Sequence, residues 1–138
     1  MKNDSSIKSI SIASIKRHSI DVEGWKRTTF SLSQFPEEVT PLIGELPITR
    51  FFMDQDNWTL ITTQRIIGKI YSEIRETYFT ELDRTIWKDF KNLRMDRVLF
   101  RTTNIQGETK EFLMEAGNPS MAIIYGIQTV SNIYKASR

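Results

Sequence analysis

The sequence predicts a mainly β domain closed by one amphipathic helix at its C-terminus. Two observations point there. Short runs rich in Ile, Thr, Phe, Tyr and Trp follow one another between residues 48 and 115, separated by turn-forming clusters. After Gly117-Asn118-Pro119 the apolar spacing changes, and Ile123, Ile127, Val130 and Tyr134 recur at intervals of four, three and four.

Bulk composition bounds the class. The chain has 138 residues, 39% hydrophobic and 26% charged, as an ordinary globular domain does. A chain near this length buries roughly two-thirds of its unfolded surface, enough for a core without covalent staples. There is no cysteine, which excludes disulfides, thiolate nucleophiles and cysteine metal sites. No run of about 18 apolar residues exists to span a membrane. Met1 to Ile20 holds no continuous apolar stretch of the kind a secretory signal needs, so a cytoplasmic location is expected. A net charge of +2 is too small to argue for nucleic acid.

Residues 1–24 are read as a flexible arm or an added edge element, because Ile10 and Ile12 alternate as in a strand while Ile12 and Ile15 are spaced as in a helix. Residues 25–138 form the single domain. Trp25 to Leu32 predicts a short strand. Pro36 followed by Glu37 and Glu38 is a helix-start signal, and Val39, Leu42, Ile43 and Leu46 offer an apolar face. A short helical segment is therefore expected near 36–46, broken by Pro41 and Gly44. Seven strands follow, over 48–53, 57–63, 66–71, 76–82, 84–90, 97–103 and 109–115. In the sixth, Val98, Phe100 and Thr102 face one way and Arg97, Leu99 and Arg101 the other. In the seventh, Phe112 and Met114 share a face, and Gly107 before it suggests a hairpin. The final helix is expected over about 119–135, with Asn118 as its cap.

No constellation supports catalysis, a cofactor or a metal. His18 is the only histidine and sits in the arm, so it has no zinc partners and would have to serve any triad alone. Asp54-Gln55-Asp56-Asn57 resembles the start of a calcium loop, but the positions that need Gly and Glu hold Thr59 and Arg65; a polar turn explains it better. Glu37 with Glu38, and Glu108 with Glu111, have no nucleophile or metal set beside them. The six glycines are scattered, so no phosphate loop is present.

Two candidate surfaces remain. Lys88, Lys91, Arg94 and Arg97, interleaved with Trp87, Phe90 and Leu93, form the densest basic cluster and a candidate anionic-surface patch, although Asp89 and Asp96 interrupt it. On the last helix, Met121 and Tyr125 lie off the main stripe, near Gln128; with Trp87 they form a candidate partner surface.

Seven strands and a terminal helix is the element order of pleckstrin-homology-like (PH-like) domains. The stretch from Gly44 through Phe51-Phe52 to Trp58-Thr59-Leu60-Ile61-Thr62-Thr63-Gln64-Arg65-Ile66-Ile67 resembles the opening hairpin of bacterial PH-like and GRAM-related domains. The resemblance covers about residues 44–136. It implies a bent antiparallel seven-stranded sandwich or half-barrel with the helix plugging one end, and binding rather than catalysis. Function does not follow from such a fold alone. The expected role is a non-enzymatic module acting through protein–protein contact. The alternatives are an immunity protein that neutralises a bacterial toxin, and a peripheral membrane module using residues 88–97.

The resemblance also carries a prediction. Phosphoinositide-binding PH domains place bases in the first hairpin, where this chain has Asp54 and Asp56. Carboxylates there repel an inositol phosphate, so liposome co-sedimentation at physiological salt should show no headgroup-selective retention.

Overall fold

The computed structural model describes residues 1–88, 90–91 and 95–138. The order is α1 (Asp4–His18), β1 (Thr28–Phe30), β2 (Pro47–Asp54), β3 (Asn57–Thr62), β4 (Arg65–Ile70), β5 (Glu73–Tyr78), β6 (Leu82–Trp87), β7 (Arg97–Asn104), β8 (Thr109–Glu115) and α2 (Ser120–Ala136). One sheet runs β1-β2-β3-β4-β5 and the other β6-β7-β8. Every pairing is antiparallel. The protein is mainly β, an open two-sheet sandwich with a C-terminal helix, and no barrel closes. Seven strands, β2–β8, lie over residues 47–115 as expected, and β1 forms inside the 25–32 run, where a short strand was expected.

Alternation sets the strands. On β7, Val98, Phe100 and Thr102 are buried, while Arg97, Leu99 and Arg101 face outward. The β7–β8 hairpin turns at Gly107, whose φ of +84° suits glycine, and Asn104 Oδ1 accepts from the amides of Gln106 and Glu108. Buried threonines stitch the sheets together: Thr59 Oγ1 donates to the Leu113 carbonyl at 2.6 Å, and the hydroxyls of Thr77 and Thr102 meet at 2.8 Å. At Gly68 a Cβ would lie 2.7 Å from the Trp58 carbonyl oxygen, so only glycine fits beside β3.

The main core lies between the sheets and the helices. Phe100 and Phe112 stack in it, with Ile123, Ile127 and Val130 of α2 buried against them. A second, smaller core sits around Trp58, Leu60, Ile67 and Val39, with Leu32 and Phe35 packed over it. β3 is therefore buried almost throughout.

Four expectations are corrected. The arm at 1–24 is neither loose nor a strand: residues 4–18 form α1, capped by Asn3, whose side chain accepts from the Ser6 amide at 2.8 Å. Its packed face is Ile7, Ser11, Ser14 and Ile15, and the two serines hide the apolar stripe from a sequence reading. Segment 36–46 holds two turns in place of a helix, closed by Val39 N to Pro36 O and Glu45 N to Leu42 O. Its apolar residues share no face, since Val39 is 5% exposed and Ile43 99%. The strand expected at 76–82 runs over Glu73–Tyr78, because Tyr71 and Ser72 make a positive-φ turn before it and Phe79 leaves the strand to enter the core. Asn118 does not cap α2: Pro119 holds the cap position and makes no side-chain cap bond, while Ser120 Oγ donates back to the Gly117 carbonyl at 2.6 Å.

Glu45 explains the path of the 36–46 segment. Its carboxylate is 4% exposed. It accepts from Arg65 Nε at 2.8 Å and Nη2 at 3.2 Å, from Thr62 Oγ1 at 2.6 Å and from the Leu42 amide at 2.9 Å. Arg65 also donates to Glu76 at 2.8 Å and to the Thr40 carbonyl at 3.0 Å. Burial acts to lower the Arg65 pKa, but its bonds to Glu45 and Glu76 outweigh that and the net shift is upward. A buried charge that loses its partner costs about 3–5 kcal/mol. Glu45→Leu should therefore destabilise by about that much in denaturant melts. Adding Arg65→Met should restore part of the loss, because the orphaned charge goes with it; a double variant weaker than the single one would contradict the assignment. Ile127→Ala, at 1% exposure, should cost about 2–5 kcal/mol.

Candidate functional site

The two turns at one end of the five-stranded sheet are locked together. In the β2–β3 turn, Asp54 Oδ1 accepts from the Asp56 amide at 2.9 Å and from Asn57 Nδ2 at 3.1 Å. The Asn57 side chain also accepts from the Tyr71 amide at 3.0 Å, and Asp56 accepts from Ser72 Oγ at 2.7 Å. Both acceptors thus reach across to the β4–β5 turn. The Asn57 side-chain bond, followed by the Asp56 amide bond, holds the Asp54 carboxyl below its ordinary pKa.

Beside these turns a cleft of about 560 Å³ opens between the sheets. Met53, Ile70, Met95, Leu99 and Leu113 line it, Tyr71 stands at its edge, and Lys88 and Arg97 bring positive charge to it. Three of the apolar residues are exposed: Tyr71 at 79%, Met95 at 51% and Leu99 at 39%. A second cleft of about 480 Å³ lies alongside, lined by Trp25, Asp96, Gly117 and Pro119, and among the described residues Met95 alone lines both. The second cleft is framed by Glu115, which is buried and accepts from the Lys26 and Arg27 amides at 3.1 and 3.0 Å and from Thr28 Oγ1 at 2.8 Å. These bonds hold the start of β1 against β8.

The structure divides the expected partner surface. Met121 is half-buried against the main core. Tyr125 is half-buried too, its ring stacked on His18 with centroids 3.6 Å apart and planes 5° apart. The face of α2 expected to meet solvent is thus covered at Tyr125 by α1, a helix not expected from the sequence. Gln128 is exposed and meets Trp87 across a groove of about 190 Å³ between β6 and α2. Trp87 itself packs on Phe100, centroids 5.1 Å apart. Of the basic cluster, Lys88 and Arg97 line the larger cleft, Lys91 is exposed next to Phe90, and Arg94 lies outside the described residues.

His18 Nδ1 sits 2.8 Å from the Ser14 carbonyl oxygen, and its ring is occupied by the Tyr125 stack. Among the described residues no group of three or more His, Asp or Glu gathers as a metal site would require, and no helix is long and apolar enough to cross a membrane.

Of the residues that build the cleft, Lys88 and Arg97 stood out in the sequence as bases and Asp54 and Asn57 as a polar turn, but the apolar ones were not singled out. Leu99 carried a signal, since it stands on the outward side of an otherwise polar strand face. Met53 at the end of β2, and Ile70 and Tyr71 where β4 runs into its turn, carried none. No family model, curated protein or solved structure matches the chain.

The His18–Tyr125 stack changes what is expected at Tyr125. A stacked aromatic pair contributes about 0.5–1.5 kcal/mol beyond the area it buries. Tyr125→Ala should thus cost about 1–3 kcal/mol in denaturant melts, more than an exposed position would.

Proposed function

We propose that this chain is a non-enzymatic, PH-like binding module that acts through protein–protein contact, with the partner lying in the groove formed by the two clefts. The observation that carries this reading is the exposed apolar floor where they meet at Met95. Tyr71, Met95 and Leu99 stand open to solvent around one cavity. Contiguous apolar surface of this kind on a folded chain marks a contact surface, and aromatic and methionine side chains are enriched in such surfaces. Two adjoining clefts suit an extended polypeptide that seats a side chain in each. The PH-like reading is supported by the split of β2–β5 and β6–β8 followed by α2, with β1 and α1 added to it.

A peripheral membrane role has one observation in its favour, exposed Lys88 and Lys91 close to the apolar residues. The exposed apolar residues line a cleft, a concavity that seats a side chain and that a bilayer surface does not fill, so the polypeptide reading is preferred.

Capture from the source cells tests it. The wild-type chain should retain a partner that Met95→Asp loses. Met95 is exposed in a loop, so the substitution should leave the melting curve within about 0.5 kcal/mol of wild type. Retention of the same partner by Met95→Asp would overturn the groove assignment.

A further inference from the structure

We infer that the partner segment carries an acidic side chain next to its apolar anchor, and that Lys88 and Arg97 read that carboxylate; the inference rests on the groove being the contact surface. The charges around the larger cleft decide the point. Among the described residues its one lining carboxylate is Asp54, which already accepts from the Asp56 amide and the Asn57 side chain. Asp56, next to it, accepts from Ser72. Asp96, at the second cleft, pairs with Arg97 through Nη1 alone at 3.2 Å, with both side chains substantially exposed.

The cations are less fully used. Among the described residues Arg97 makes one ion pair, through Nη1, and a guanidinium has further donors that can grip a carboxylate by two bonds. Lys88 is exposed and makes no ion pair among the described residues. Both line the same apolar cavity as Met53, Ile70 and Leu99. An aliphatic or aromatic side chain on that floor therefore places its neighbours on the chain beside two bases, and a carboxylate there gains what a neutral or basic neighbour does not. The second cleft, which shares Met95 with the first, gives a chain somewhere to run on; the occupant is accordingly a polypeptide and not a free fatty acid.

Selection of random heptapeptides displayed on phage, against the immobilised full chain, tests this. The expected result is enrichment of Leu, Ile, Met or Phe adjacent to Asp or Glu. A synthetic peptide of the enriched sequence should bind about tenfold or more weakly to Lys88→Glu/Arg97→Glu, with a smaller difference at high salt. Selection on that double variant should shift the flanking preference to Lys or Arg and keep the apolar position. Lys88→Glu alone, at an exposed site, should move affinity in the same direction, which keeps the test valid if Arg97→Glu disturbs folding. Apolar enrichment without acidic flanks, or binding indifferent to the charge reversal, would overturn the inference while leaving the groove in place. No enrichment, or enrichment insensitive to Met95→Asp, would remove the groove reading as well. Decanoate binding the groove as tightly as the selected peptide would overturn the assignment to a polypeptide.

Discussion

The buried pair of Arg65 and Glu45 is the constraint on which most of the architecture depends. An arginine at 6% exposure is tolerable only with its donors matched, and a single carboxylate cannot match them all. Glu45, Glu76 and the Thr40 carbonyl together do so. To reach Arg65 the 36–46 segment must lie across the sheet, which brings Val39 onto the small core around Trp58. The same region anchors both helices. Thr63 and Gln64, just before Arg65, donate to Asp4 at the start of α1, and the Thr63 carbonyl accepts from the Tyr134 hydroxyl at 2.8 Å near the end of α2.

The groove occupies the other end of β3. There the chain is held by turn-to-turn bonds from Asp56 and Asn57 and by the Glu115 carboxylate, which fixes the start of β1. One end of the sheet is thus closed by helices and a buried ion pair, while the other presents Tyr71 on a locked turn, with Met53 and Ile70 at the strand ends beside it. Side chains held this way lose little freedom when a partner docks, and preorganisation of that kind favours affinity.

The parts of the fold legible in the sequence were those governed by local periodicity. β7 and β8 followed from alternation at Val98, Phe100, Phe112 and Met114, and α2 followed from the stripe at Ile123, Ile127 and Val130. Non-local terms decided the rest. Helix α1 buries Ser11 and Ser14 where an apolar stripe was sought, and the helix start at Pro36 was overridden by the pull of Glu45 toward Arg65. The groove was half legible. Lys88 and Arg97 stood out as a cluster, but the apolar residues around them are assembled from four strands (β2, β4, β7 and β8), the β4–β5 turn and the loop before β7, which no local pattern joins. Tyr125 was misplaced for a related reason: its exposure depended on whether α1 folds over it.

The central claim is that contact is made at the locked-turn end and not on α2. Amide chemical-shift mapping of the labelled chain, titrated with the captured partner, measures this directly. The account predicts that the perturbed amides cluster at Met53, Tyr71, Lys88, Met95 and Leu99, with those of Gln128 and its neighbours on α2 unchanged. Perturbations centred on Met121, Tyr125 and Gln128, with residues 53–57 and 95–99 silent, would contradict it.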